Sequence, residues 1–211
     1  MAPIKIAVFA SGQGTNFQAL ADAAAGRQLD ASIELLVCDK PAAPVVERAR
    51  RAGIDTWLFT PKEYPSREAY ETLILEELQR RGIELIVLAG YMRIITDVLV
   101  QPYYGRMVNI HPALLPAFPG VNGIRQALEY GVKVTGVTVH YVDGGMDSGP
   151  IIAQRAVEVA DDDTEESLAP RIHAAEQALL PWVVQQIAHG RAALEGRHVT
   201  IGAAIGADKS R

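Results

Sequence analysis

Cysteine is all but absent. Cys38 stands alone in a chain of 211 residues, so neither an internal disulfide nor a cysteine-based zinc site can form. Positive charge is also short: 20 lysine and arginine residues face 25 acidic ones, for a net charge of −5. Without a basic run there is no cationic stripe for a sequence-independent grip on nucleic acid. A small anion stays within reach, because backbone amides at a helix N-terminus hold phosphate inside an acidic protein. No apolar run approaches the ~18 residues needed to cross a membrane. The chain opens directly on a strand-like run, without a signal peptide's charged start and small-residue cleavage site. No G-x-S-x-G elbow or H-E-x-x-H helix is present. The histidines at 111, 140, 173, 189 and 198 lack metal-ligand spacing. The expectation is a cytoplasmic protein, monomer or homodimer, with no metal, no membrane contact and no nucleic-acid partner.

What is plentiful is apolar residues, 49% of the chain against 21% charged, the balance of a packed globular domain. Lys5–Ala10, Ile33–Cys38, Asp55–Phe59, Leu85–Ala89 and Met107–His111 read as strands. Helical segments alternate with them: Asn16–Ala25, Val45–Ala52, and Ser66–Arg81 with Leu73, Ile74, Leu75 and Leu78 as its apolar stripe. Strands apolar on both faces and separated by helices imply a parallel sheet covered on both sides. Then the pattern changes. Val134–Val142 and Ile151–Val157 flank a turn-length glycine-rich segment, Asp143–Pro150, which favours an antiparallel pair. Thr164–His189 reads as one long helix, with Pro170 and Pro181 in first turns or breaking it. The fold class is therefore α/β: a doubly wound, mostly parallel sheet with an antiparallel C-terminal strand pair and helices on both faces. One domain is expected over 1–190, with halves 1–108 and 109–190, and a weakly patterned tail over 191–211.

Ser11–Asn16 reads S-G-Q-G-T-N between the first strand and the first helix. Glycines there expose amide donors at a helix start, an anion site. Gly12 and Gly14 match two positions of the dinucleotide fingerprint, but Phe17 fills the third, where close helix–strand approach calls for glycine. A phosphate monoester is favoured over a dinucleotide, with a purely structural loop as the alternative. Asp39, at the end of the second strand, suits either a ribose contact or the start of the turn to Pro41.

Asn109 and His111 lie two apart at the end of an apolar strand, so both side chains face one side. Ligands of open α/β sheets bind beyond such strand ends. An amide can stabilise a developing oxyanion and an imidazole can move a proton. Asp147 is the candidate carboxylate partner for the ring, with Asp143 as competitor. The plain alternative is a strand-end asparagine making turn hydrogen bonds and a histidine packed beneath Pro112 and Pro116. Cys38 reads as core, and so does His140, set between Val139 and Tyr141.

In order and spacing, several segments resemble the glycinamide ribonucleotide formyltransferases, a folate-dependent family of purine synthesis. They are S-G-Q-G-T-N, S-R-E-A-Y (66–70), L-A-G-Y-M-R-I (88–94), N-I-H-P-A-L-L-P-A-F-P-G (109–120), T-V-H-Y-V (138–142) and D-S-G-P (147–150). The resemblance runs from about Lys5 to Gly190. It implies formyl transfer from 10-formyltetrahydrofolate, as co-substrate, to glycinamide ribonucleotide, without a metal. It implies a catalytic trio of Asn109, His111 and Asp147. It implies a ribotide-phosphate loop at Gly14, Thr15 and Asn16, a second ribotide segment at His173 and Glu176, and pocket-lining positions at Gly90 and Pro112. Folate contacts are implied at Arg67, at Met92, Arg93, Ile94 and Ile95, at Asn109, and along Asp143, Gly144, Gly145, Met146 and Asp147. Ala113, Asn122 and Gln177 depart from residues common in the family.

The rivals are a formyltetrahydrofolate hydrolase and a methionyl-tRNA formyltransferase, which resemble this core plus an extra N-terminal or C-terminal domain. The short leader, the chain end near the core and the net charge of −5 favour neither. A third rival, a non-catalytic folate- or nucleotide-binding module, predicts binding without turnover.

Overall fold

Four consecutive apolar side chains, Ile6 to Phe9, are fully shielded from solvent on both faces of the first strand, as a strand inside a covered parallel sheet requires. This is a computed structural model, and it describes residues 2–202. The chain divides into two compact units, Met1–Asn109 and Ile110–Arg211.

In the first unit the elements are β1 (Ile4–Phe9), α1 (Thr15–Ala25), β2 (Ala31–Cys38), α2 (Pro44–Arg51) and β3 (Thr56–Leu58), then a 3-10 turn at Pro61–Glu63, α3 (Arg67–Arg81), β4 (Leu85–Leu88), α4 (Asp97–Val100) and β5 (Met107–His111), whose last two residues belong to the second unit. β1 pairs in parallel with β2 and β4, β2 with β3, and β4 with β5. The caps follow local chemistry. Ser66 Oγ accepts from the Ala69 amide at the start of α3, and Gly82 closes that helix at φ 68, a conformation only glycine adopts freely. Leu73 is 45% exposed, so the stripe of α3 runs instead through Tyr70, Ile74 and Leu78. Those three residues stand four apart and share one face of the helix. Cys38 is buried in β2, and burial raises its thiol pKa.

The second unit continues with α5 (Gly123–Tyr130), β6 (Val134–Tyr141), β7 (Ile151–Glu158), α6 (Glu165–Ala188), β8 (Ala192–Glu195) and β9 (His198–Ile201). β6 and β7 are antiparallel, Thr138 opposite Gln154, with an irregularity between Val139 and His140. The seven strands run in the order β3-β2-β1-β4-β5-β6-β7. The sheet is thus mostly parallel with an antiparallel pair near the C-terminus, the α/β class read from the sequence.

Two expectations fail here. Pro170 and Pro181 both stand inside α6, which runs unbroken for 24 residues. An interior proline costs a helix ~3 kcal/mol, and the buried face of Leu168, Ile172, Leu179, Leu180, Val183 and Val184 opposes that cost. The expected tail contains an antiparallel hairpin, β8 with β9. Its four-residue strands are too short for alternation to be legible. The rest of that segment, 203–211, lies outside the described residues.

Candidate active site

In the first unit the glycine loop turns at Gly14, whose φ is 72. A Cβ there would collide with the Val45 side chain, so both backbone and packing demand glycine. The loop is pinned from α2: Arg48 Nε donates to the Gln13 carbonyl at 2.7 Å and the Val45 amide to that of Gly12 at 3.1 Å. No side chain caps α1, so the amides of its first turn, at Thr15 and Asn16, gain no capping hydrogen bond. Asn16 is buried, and its Oδ1 has no hydrogen-bond partner among the described residues. Phe17 is fully buried, an aromatic anchor where a dinucleotide fold has glycine.

Asp39 does not wait for a ribose. Its side chain is buried, and Arg93 Nε donates to its Oδ2 at 2.7 Å. That ion pair holds the turn after β4, which Ser11 also fastens by donating its amide to Gly90 O and accepting from the Met92 amide. Gly90 there has φ 81. Met92 and Ile94 stand out at 66% and 58% exposure while Ile95 is buried. Arg67 is exposed at the first turn of α3.

In the second unit His111 closes β5 and is only 4% exposed. Its Nε2 lies 2.8 Å from the Phe118 carbonyl. A carbonyl only accepts, so Nε2 carries the proton. Its Nδ1 faces Asp147, 3.5 Å from Oδ2. The same Oδ2 accepts from the Gly120 amide at 2.7 Å. Asp147 itself has φ 51, a left-handed backbone uncommon outside glycine and found at functional sites. Asp143 is occupied within its own loop, where its Oδ1 accepts from the Gly145 amide and the Ser148 hydroxyl. Between the two candidate carboxylates, Asp147 is the one against His111.

Sequence reasoning missed His140. It is buried, as expected of a core residue, yet its Nε2 lies 3.6 Å from Asp147 Oδ1. Its Nδ1 is 2.8 Å from the Tyr141 carbonyl and donates to it. The pairing of β6 with β7 shifts register between Val139 and His140, and nothing in the alternation of residues signals it. Burial pushes the Asp147 carboxyl up. The hydrogen bonds from His140 and Gly120 and the two imidazoles outweigh that, leaving its pKa below the ordinary carboxylate value. Pro112 is half-buried after His111. On α6, Glu176 is buried and His173, three residues earlier, is exposed. Among the described residues no group of three or more His, Cys, Asp or Glu could hold a metal ion. No helix there is long and apolar enough to cross a membrane.

A glycine loop opening a helix behind the first parallel strand, and a buried imidazole facing a carboxylate at another strand end, sit on the mostly parallel sheet of an α/β enzyme. The chain belongs to the formyl transferase family, whose pattern matches residues 4–184. It is 52% identical over 183 residues to the phosphoribosylglycinamide formyltransferase of Bacillus subtilis, covering 87% of this chain and 94% of that one. It is 42% identical over 190 residues to the trifunctional purine biosynthetic protein adenosine-3 of Drosophila melanogaster, covering 89% of this chain and 14% of that longer protein. The crystal structure of glycinamide ribonucleotide transformylase 1 from Symbiobacterium toebii superposes with a TM-score of 0.92 at 46% identity, covering 94% of this chain and 93% of that one.

Proposed function

We propose that this chain transfers the formyl group of 10-formyltetrahydrofolate to the amine of glycinamide ribonucleotide, a step of purine biosynthesis. The observation that carries it is His111, its Nε2–H donating to Phe118 O and its Nδ1 turned to Asp147. The family and the relatives' names support the substrates.

An amine is a competent nucleophile once deprotonated, so the reaction needs no serine or cysteine nucleophile. Its nitrogen attacks the formyl carbon, and the carbonyl oxygen becomes an oxyanion. Asn109, two residues before His111 on β5, donates to that oxyanion. One such donor is worth ~3 kcal/mol. The attacking amine gives its proton to His111 Nδ1, and Nδ1 passes that proton to the leaving N10 as the N10–carbon bond breaks. Positioned acid–base catalysis contributes ~100–10,000-fold. Asp147 orients the ring and balances its positive charge. Gly14, Thr15 and Asn16 hold the ribotide phosphate through the start of α1, with His173 and Glu176 contributing from α6. Gly90 and Pro112 line the ribotide site. Arg67, Met92 to Ile95 and the Asp143–Asp147 loop take the folate.

The deciding experiment follows folate deformylation by absorbance with and without glycinamide ribonucleotide. Turnover that requires the ribotide is the expected result. Deformylation without it would make the protein a hydrolase, and binding of both compounds with no turnover would make it a binding module.

A further inference from the structure

Thr138 lies in the middle of β6 with its side chain fully buried, opposite Gln154 of β7. A hydroxyl can donate once and accept twice, and this one does all three. It donates to Ala113 O at 2.7 Å. It accepts from the Leu115 amide at 3.0 Å and from Gln154 Nε2 at 2.9 Å. Gln154 Nε2 also reaches Leu115 O at 2.9 Å. Three of these bonds fasten the backbone of 113–115, immediately after His111 and Pro112, and the fourth joins Gln154 to Thr138. The same segment runs on to Phe118, whose carbonyl accepts from His111 Nε2–H, and to Gly120, whose amide donates to Asp147 Oδ2. Phe118 sits at φ 54, a conformation that a bulky residue keeps only when its surroundings impose it. On its far side the Phe118 ring meets Tyr130 edge-on at 5.7 Å.

We infer that Thr138, assisted by Gln154, is a positioning residue for formyl transfer. It fixes the 113–120 segment so that the Phe118 carbonyl holds His111 as the Nε2–H tautomer, which keeps Nδ1 as the nitrogen that exchanges protons. This rests on the role proposed for His111. Thr138 acts through the segment and touches no reacting atom. Its loss therefore lowers kcat and leaves the Michaelis constants of both substrates nearly unchanged.

The test compares Thr138→Val, which keeps the shape and removes the hydroxyl, with Thr138→Ser, which keeps the hydroxyl. Nitrogen-15 NMR reads the His111 tautomer, and steady-state kinetics reads kcat and KM. Misplacing a catalytic group by about 1 Å costs on the order of 100-fold. The expectation for Thr138→Val is a kcat loss of ~10–100-fold, with the His111 signal moved away from the pure Nε2–H form. Thr138→Ser restores both. Gln154→Met, at an exposed position of β7, gives a smaller loss in the same direction and serves if the valine variant does not fold. A folded Thr138→Val with wild-type kcat and tautomer overturns the inference, and so does a serine variant as impaired as the valine one. His111→Ala separates the two levels. If it keeps turnover, the role of His111 falls and takes the inference with it. If it abolishes turnover while Thr138→Val and Gln154→Met do nothing, only the inference falls.

Discussion

His140 and Asp147 meet across 3.6 Å, imidazole Nε2 to carboxylate Oδ1, while the other carboxylate oxygen stands 3.5 Å from His111 Nδ1. One carboxylate thus lies between two imidazoles, and each imidazole gives its other N–H to a backbone carbonyl. Both rings can turn a second N–H toward Asp147 only as imidazolium.

Removing that charge partner moves a titration that can be followed directly. Asp147 has a depressed pKa in the folded protein. Its stabilising contribution is present above the unfolded value of ~3.9 and is lost as pH falls through the lower folded value. The carboxyl carbon-13 resonance of Asp147 should titrate below ~3.9. In His140→Ala, which removes a hydrogen bond to the carboxylate, the midpoint should rise. A midpoint indifferent to His140 would mean that Gly120 and His111 hold the carboxylate unaided.

Asn109→Ala and His111→Ala should each lower turnover by ~100-fold or more with the fold intact. The two side chains act on one transition state, so the double variant should lose less than the product of the single losses. Steady-state rates with circular dichroism as a control read this, and turnover close to wild type in either variant would remove its assigned role.

The glycine loop calls for two substitutions with opposite purposes. Gly14→Val forces a side chain onto Val45 at a left-handed φ, and overpacking of that kind costs ~1–3 kcal/mol. It should show first as a lowered melting temperature, which obscures any effect on phosphate. Gly12→Ala adds a methyl with no neighbour within 4 Å. It should melt like wild type and raise the KM for the ribotide, leaving that for the folate unchanged. A raised folate KM with an unchanged ribotide KM would exchange the two assignments.

Arg197, in the β8–β9 turn, donates to the carbonyl of Ser148 at 2.9 Å, the residue after Asp147. The hairpin lies beyond the matched residues 4–184, yet it ties down the loop that carries the carboxylate. A net hydrogen bond of ~0.5–1.5 kcal/mol corresponds to ~2–12-fold. Arg197→Ala should speed amide exchange at 145–148 by that order and raise the folate KM within the same range. Unchanged exchange there would leave Arg197 a surface contact without consequence for the loop.

Much of this protein was legible before folding was considered. The apolar runs of β1, β2 and β4 are continuous because both faces are covered, and that alone marks a parallel α/β sheet. Gly14 before α1, Ser66 before α3 and Thr164 before α6 mark helix starts by local chemistry that needs no tertiary contact. Asn109 and His111 declare a shared face because strand side chains repeat every two residues. What tertiary structure decided depends on residues far apart in the chain. Asp147 rather than Asp143 meets His111, because Asp143 is spent on Gly145 and Ser148. Asp39 belongs to Arg93, 54 residues away. His140 turns its ring to Asp147 at an irregularity between paired strands, and Phe118 presents a backbone carbonyl, a group every residue has. Periodicity and capping are properties of neighbouring residues and can be read along the chain. The choice of a hydrogen-bond partner is a matter of position in space, and only the folded backbone supplies it.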